Sequence, residues 1–290
     1  MAKLLSALPV GSVVKSTNTK YNGKVIRWIV GTQDTANGRT GLVAEKMITL
    51  KCFDAKEPSN PNSNRQSYGN NRYSQSNIDQ WLNSADAAWY SARHSYDTPP
   101  NNSNVWSSYN EYDAEAGFLA NFEADFRNAI LDAVIRVVKN TVTDGGGYED
   151  ITRKVFLLSN TEVGLSNENG VAEGTLWSYF SSAARRQCYP TAEAVSNSEY
   201  TSSNLNASSY WWWWLRTPNA GSAYNARIVS ADGSLDNGSA CSGSHGVRPA
   251  LYLESGNLVS DSTDTDGAYI LQWNQPPSDP SSISYGTPQA

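Results

Sequence analysis

The chain has 290 residues, enough to bury a substantial core as one large or two modest domains. Lys and Arg number 22 against 28 Asp and Glu, a net charge of -6 that leaves no basic stripe for a phosphate backbone, so nucleic acid is not an expected partner. The three cysteines, Cys52, Cys188 and Cys241, are odd in number and lack CxxC spacing, and no acidic or cysteine cluster surrounds His94 or His245; neither a disulfide framework, a metal nor a cofactor is expected. The apolar stretch near Met1 is too short for a signal h-region and no later run is long enough to span a bilayer, which predicts cytosolic synthesis without membrane insertion.

Residues 8 to 53 read as β, with runs at Val10–Val14, Lys24–Val30 and Gly41–Leu50 and a hairpin turn at Tyr21-Asn22-Gly23. Lys56 to Tyr73, rich in Asn, Ser and Pro, reads as a loop. A short helix follows, capped by Ser76 with Ile78, Trp81 and Leu82 on its buried face. Ala116 to Ile130 carries Leu119, Phe122, Phe126 and Ile130 at helical spacing, and Val134–Val138 reads as extended. Gly145-Gly146-Gly147 lacks the following Lys-Ser/Thr of a phosphate-cradling loop and is expected to be a turn. Lys154–Ser159 resembles a buried strand, and Thr175 to Cys188 a helix with Leu176, Phe180 and Ala184 on one side. Strands and short helices alternate without a βαβ rhythm, which argues for an α+β fold.

The most informative stretch runs from Tyr200 to Leu253. It contains no Lys, Glu, Gln or Met, and is dense in Tyr, Ser, Gly and Asn, the palette of adaptable binding loops. Tyr210, the four tryptophans Trp211 to Trp214, Leu215, Arg216, Thr217 and Pro218 lead into it. Gly246, Val247, Arg248, Pro249, Ala250 and Leu251 close it. Beyond Leu253, Ser260 to Gly267 lacks the glycine and glutamate positions of an EF-hand and reads as a solvated turn. Tyr269–Trp273 reads as a last strand, and residues 274–290, rich in Pro and Ser, as a linker to a further module.

Several ordered motifs carry a family likeness: Phe53-Asp54, Tyr73-Ser74 with Trp81-Leu82-Asn83, Val155 to Ser159 with Glu162-Val163, Trp214 to Pro218, Asp232-Gly233, and Gly246 to Leu251. Over roughly Leu8 to Leu253 the chain resembles an uncharacterised domain family of Gram-positive gut bacteria and their phages, whose hallmark is WLRSP followed by GVRPAL; Thr217 stands in place of the usual serine. Some members resemble variable proteins of diversity-generating retroelements, in which a reverse transcriptase misreads template adenines. The resemblance implies a C-type lectin-like (formylglycine-generating-enzyme-like) mixed fold, with short helices around twisted antiparallel sheets, as one domain over 1–273 with a variable segment at about 208–246.

An Asn codon randomised at its adenines never yields Lys, Glu, Gln, Met or Trp, and all five are absent from Thr217 to Gly246. The resemblance therefore marks Asn219, Gly221, Ser222, Tyr224, Asn225, Arg227, Ser230, Asp236, Asn237, Ser239, Cys241, Ser242, Ser244 and His245 as candidate variable contacts, with Asp232-Gly233 as the turn between them. Tryptophan cannot arise from such a codon. The four tryptophans are expected to alternate, Trp212 and Trp214 inside and Trp211 and Trp213 as rim contacts.

The expected function is ligand binding without catalysis, directed at a protein or glycan receptor on a host or neighbouring cell. Such a chain belongs to a phage tail, a virion or a bacterial surface, beside other virion subunits, after synthesis in the bacterial cytoplasm. The alternative is a packing domain of such a structure without a variable site. Formylglycine-generating enzymes share the implied fold and use a cysteine pair, but Cys188 and Cys241 lie in no recognisable active-site context. Glu162, Glu168, Glu173 and Glu193 have no dyad spacing and read mostly as surface charges.

Overall fold

β1 (Lys3–Leu4) precedes β2 (Val13–Tyr21) and β3 (Lys24–Asp34), which are joined by Asn22 and Gly23. Their positive φ values, 49° and 78°, form a two-residue turn that matches the twist of the flanking strands. A computed structural model describes residues 2–273; the expected linker over 274–290 lies outside the described residues. The run read as one strand over Gly41–Leu50 is two, β4 (Arg39–Ala44) and β5 (Thr49–Leu50), because the chain crosses between them from one sheet to another.

Lys56 to Tyr73 is not all loop. Asn62 accepts hydrogen bonds from the Asn64 and Arg65 amides, both at 3.1 Å, and so starts α1 (Ser63–Tyr68). α2 (Asn77–Leu82) forms as expected, with Ser76 accepting from the Asp79 amide and Ile78, Trp81 and Leu82 buried. The helix expected over Ala116–Ile130 is broken into a 3₁₀ turn (Phe118–Asn121) and α3 (Ala124–Ala129), since Phe122 and Glu123 take extended backbone. Phe122 and Phe126 thereby both reach Trp28 at ring separations of 6.2 Å.

β6 (Ala133–Val138) and β7 (Tyr148–Arg153) pair as a hairpin, with Gly145, Gly146 and Gly147 all at positive φ in the connection. β8 (Val155–Phe156) follows. The helix expected over Thr175–Cys188 is a 3₁₀ turn (Ser178–Phe180) and α4 (Ala183–Arg186). Leu176, expected inside, is 50% exposed, and Trp177 and Phe180 fill the core in its place. α5 (Ala192–Ser196) leads to β9 (Trp213–Pro218), β10 (Asn225–Val229), β11 (Leu235–Ser239), β12 (Gly246–Val247), β13 (Ala250–Glu254), β14 (Leu258–Val259) and β15 (Tyr269–Gln272).

The described strands form an eight-stranded sheet in the order β1-β14-β15-β2-β3-β4-β13-β8, a five-stranded sheet in the order β11-β10-β9-β12-β5, and the β6-β7 pair. Most pairings are antiparallel; β15 with β2 and β12 with β9 are parallel. The fold is α+β, mostly strands with a few short helices. The turn over Ser260–Gly267 directs its carboxylates at a lysine. Lys15 Nζ lies 2.6 Å from Asp264 and 2.8 Å from Asp266.

Arg216 on β9 is fully buried and uses its whole fork. Nε donates to the Arg136 carbonyl at 3.0 Å, Nη1 to the Leu157 carbonyl at 2.9 Å and to Glu162 at 2.5 Å, and Nη2 to Glu162 and the Glu173 carbonyl, each at 3.1 Å. The guanidinium thus joins β9, β6 and the chain after β8. Glu162 and Glu173, expected as surface charges, are both buried at this junction. Arg216→Met is expected to strand the Glu162 carboxylate in the core and cost about 3–5 kcal/mol, measured by urea unfolding. A loss below 1 kcal/mol would show that the pair does not organise the junction.

Candidate functional site

β9 lies in the middle of the five-stranded sheet and is buried along its whole length, so both of its faces read as core. This corrects the expected alternation of the tryptophans. Trp211, Trp213 and Trp214 are buried and only Trp212 is half-exposed. Each buried indole N–H has a carbonyl acceptor: Ser244 for Trp211 at 2.8 Å, Arg186 for Trp213 at 3.0 Å and Lys51 for Trp214 at 2.9 Å. Trp211 and Trp213 are therefore frame and not contact surface, and Trp212 is not inside.

Outward from β9, β10 and β11 pair in register, Asn225 opposite Ser239, Arg227 opposite Asn237 and Ile228 opposite Asp236. Side chains alternate across the sheet, so Asn225, Arg227, Asn237 and Ser239 share the outer face while Ala226, Ile228 and Gly238 face inward. Arg227 donates through Nη1 to Asn237 at 2.7 Å, Asn219 donates to the same Asn237 oxygen at 2.8 Å, and Arg227 Nε meets Glu168 at 2.9 Å. The face is a polar patch held in one arrangement by its own hydrogen bonds. Gly221 is exposed and Ser222 and Tyr224 half-exposed in the β9–β10 connection, where Tyr224 packs on Tyr68 with ring centroids 4.7 Å apart.

Other expected contacts are placed elsewhere. Cys241 is fully buried, with its sulfur 3.7 Å from the Ser67 carbonyl, and burial pushes its thiol up to about 11. The segment around it turns inward because its backbone is needed. The Cys241 amide donates to Tyr68 and its carbonyl accepts from Trp106, each at 2.9 Å. Ser242 is buried beside it, with its hydroxyl 2.8 Å from that of half-exposed Ser244. Ser230 sits at the foot of the β10–β11 turn, where Asp232-Gly233 turns the chain as expected; Gly233 has φ 85°, and a Cβ there would meet the Ala183 oxygen at 2.3 Å.

His245 lies on the inner side, packed at a tilt against Trp214 with ring centroids 4.5 Å apart, and under Gly238, where a Cβ would approach its Cε1 to 3.0 Å. Asp236 projects from the inner phase of β11, is exposed, and belongs to the rim near His245 rather than to the Arg227 patch. The candidates thus divide into an outer set, an inner set and a buried one.

Sequence reasoning missed the residues that fix this patch from outside the segment. Glu168 lies 59 positions before Arg227 and also accepts from the Ala220 amide at 3.1 Å. Asn71 donates to the Ser222 and Asn225 carbonyls at 2.7 and 2.9 Å. Neither stands in a local motif, so no spacing marks them.

The chain belongs to the family described as a domain of unknown function (DUF6273). The family match covers residues 37–255, from β4 to β13, and takes in both Arg216 and Arg248. No curated protein and no solved structure matches the chain. In this DUF6273 domain, no cluster of three or more His, Cys, Asp or Glu side chains able to hold a metal occurs among the described residues. No helix among them is long and apolar enough to cross a membrane.

Half-exposed His245 and buried Glu173 oppose each other in pH dependence. Burial pulls the His245 imidazole down from 6.5 to about 4, against the weaker opposing effects of the Ser242 backbone and Asp236. Its stabilisation is present above pH 6.5 and is lost as pH falls toward 4. Burial raises Glu173 from 4.5 to about 7, outweighing Arg216 and Thr217, so its contribution is full below pH 4.5 and lost as pH rises through 7. His245→Gln is expected to leave stability falling between pH 4.5 and 7, and Glu173→Gln to leave it rising between pH 4 and 6.5. Each change should amount to about 2–3 kcal/mol in urea titrations across that range. Parallel curves for the two variants would refute the assignment.

Proposed function

We propose that the chain is a ligand-binding display protein on a C-type lectin-like framework, part of a phage tail, a virion or a bacterial surface structure. Its outer β10–β11 face and adjoining loops recognise a receptor on a host or neighbouring cell. The observation that carries this reading is the sorting of the Thr217–Gly246 segment. Its Asn219, Asn225, Arg227, Asn237 and Ser239 gather at an outer edge of the sheet, while Ala226, Ile228 and Gly238 of the same strands face inward. Trp213 and Trp214, which randomised Asn codons never encode, lie on the buried strand behind them. A patch already ordered by Glu168 and Asn71 loses little entropy on binding, and repetition on a virion lets weak single sites act together. Burial of Cys241, Ser242, Trp211 and Trp213 narrows the contact set to the exposed and half-exposed positions.

Sequencing the same locus in sibling isolates is expected to show substitutions concentrated at Asn219, Tyr224, Asn225, Arg227, Asn237 and Ser239, with Trp211 to Trp214 unchanged. Differences spread evenly over β2 to β4 would sink the reading. Arg227→Ala and Asn237→Ala should change stability by no more than about 0.5 kcal/mol. Both should weaken attachment of the fluorescently labelled chain to its target cells at least tenfold in flow cytometry. Unchanged attachment in both variants would leave a packing role.

A further inference from the structure

The antiparallel pairing of β5 with β12 continues beyond both strands. Leu50 faces Gly246, and the Lys51 amide donates to the His245 carbonyl at 3.1 Å. Residues 242–244 then loop out, after which the Phe53 and Asp54 amides both donate to the Ala240 carbonyl, at 2.8 and 3.0 Å. Two successive amides on one acceptor mark a bulge in which Phe53 and Asp54 together oppose Ala240. The next pair along is Cys52 opposite Cys241. Their backbones bond to other partners: the Cys52 carbonyl accepts from the Tyr112 hydroxyl at 3.1 Å, while the Cys241 amide donates to Tyr68 and its carbonyl accepts from Trp106, each at 2.9 Å. In such a non-hydrogen-bonded antiparallel pair the Cα atoms lie about 4.5 Å apart with both side chains on one face, inside the span of about 4.4 to 6.8 Å that a disulfide bridges.

The two thiols also lie within each other's field. Burial pushes the Cys52 thiol up, and the Asp54 carboxyl and then the Cys241 thiol push it further. Burial likewise raises Cys241 to about 11; Lys56 opposes the rise and Asp54 adds to it. One carboxyl acts on both thiols because all three side chains are buried at the same crossing. Cys188 sits apart, with its sulfur 3.7 Å from the Glu45 carbonyl, so only one pairing of the three cysteines is open.

We propose that Cys52 and Cys241 are an oxidation site, joined in a cross-strand disulfide when the chain folds in the presence of a small disulfide such as oxidised glutathione. The Cys52 thiolate attacks one sulfur of the oxidant and expels a glutathione thiolate; the Cys241 thiolate attacks the Cys52 sulfur of the mixed disulfide and expels the second. The cysteine pair gives up two electrons and two protons, and both protons end on the two glutathione thiols. Burial sets the timing. In the folded chain both thiols are enclosed and poor in thiolate, so exchange belongs to the chain before it closes, and the finished bond is shielded in turn. The bond fastens the foot of the 242–244 loop to the scaffold and requires a constant Cys241, whether or not its neighbours vary. No CxxC spacing signals the pair, because only the β5–β12 register brings it together.

The test is refolding of the full chain from urea, with mixed reduced and oxidised glutathione or with excess reductant, followed by alkylation in denaturant and peptide mapping without reduction. Oxidative refolding should yield one cross-linked peptide pair carrying Cys52 and Cys241, with Cys188 alkylated. The urea midpoint should rise by about 1 M over the reduced chain, since the bond closes a loop of more than ~100 residues. Within each variant, oxidised and reduced samples are compared, so that lost packing is not mistaken for a lost bond. Cys52→Ala and Cys241→Ala should each abolish the difference, and Cys188→Ala should keep it. Three alkylated cysteines after oxidative refolding, a cross-link through Cys188, or a cross-linked chain with an unchanged or lower midpoint would overturn the proposal.

Discussion

The buried guanidinium of Arg216 is the constraint on which the rest of the arrangement depends. Five N–H donors in a fixed planar fork demand acceptors in fixed places, and here they are three backbone carbonyls and the Glu162 carboxylate. Burying a charge is costly unless it is paired and hydrogen-bonded, and here all five donors are answered. That requirement sets β9, β6 and the Leu157–Glu173 chain at one mutual distance. Thr217, next along β9, extends the junction by donating to Glu173 and accepting from the Asn160 amide at 2.9 Å. Arg248 makes a second buried anchor, donating to the Ala44 carbonyl at 2.9 Å and lying over Trp213 and Phe180.

With β9 held in this way, the tryptophans close the space on both sides of it. Trp213 faces Phe180 and Arg248, and Trp214 faces Phe53 and His245. Because the indole N–H groups of Trp211, Trp213 and Trp214 are each paired, these residues contribute apolar area without stranding a donor. β10 and β11 then extend from a rigid strand toward solvent. Their inner phase is small or apolar where it meets the frame, and a side chain larger than that of Gly238 would collide with Trp214. On the outer phase, Val229 and Leu235 still pack into the core, whereas Asn225, Arg227, Asn237 and Ser239 are half-exposed or exposed, so substitutions at these four cost little stability.

Much of the secondary structure was legible locally. The Asn22-Gly23 hairpin, the Ser76-capped helix and the β6 run depend on turn chemistry, capping and apolar period, all written within a few residues. The misreadings share a cause. Phe122 and Leu176 lie at helical spacing, but Phe122 is drawn into extended backbone by packing near Trp28, and Trp177 displaces Leu176 from the core. α1 was hidden in a segment whose composition speaks for a loop, because its start depends on the single side-chain cap of Asn62.

The sequence by itself determined the mixed strand-and-helix class, the absence of Lys, Glu, Gln, Met and Trp from Thr217–Gly246, and the turn at Asp232-Gly233. These are properties of residue types and short spacings. Tertiary structure alone decided which of those positions face outward. It buried Trp211 and Trp213 by enclosing β9 on both faces, drew Cys241 in because Tyr68 and Trp106 bond its backbone, and brought Glu168 and Asn71 to the patch from far along the chain. Burial and partnership over such distances are set by how sheets stack and by where buried donors find acceptors. Neither quantity is encoded in any short window of sequence.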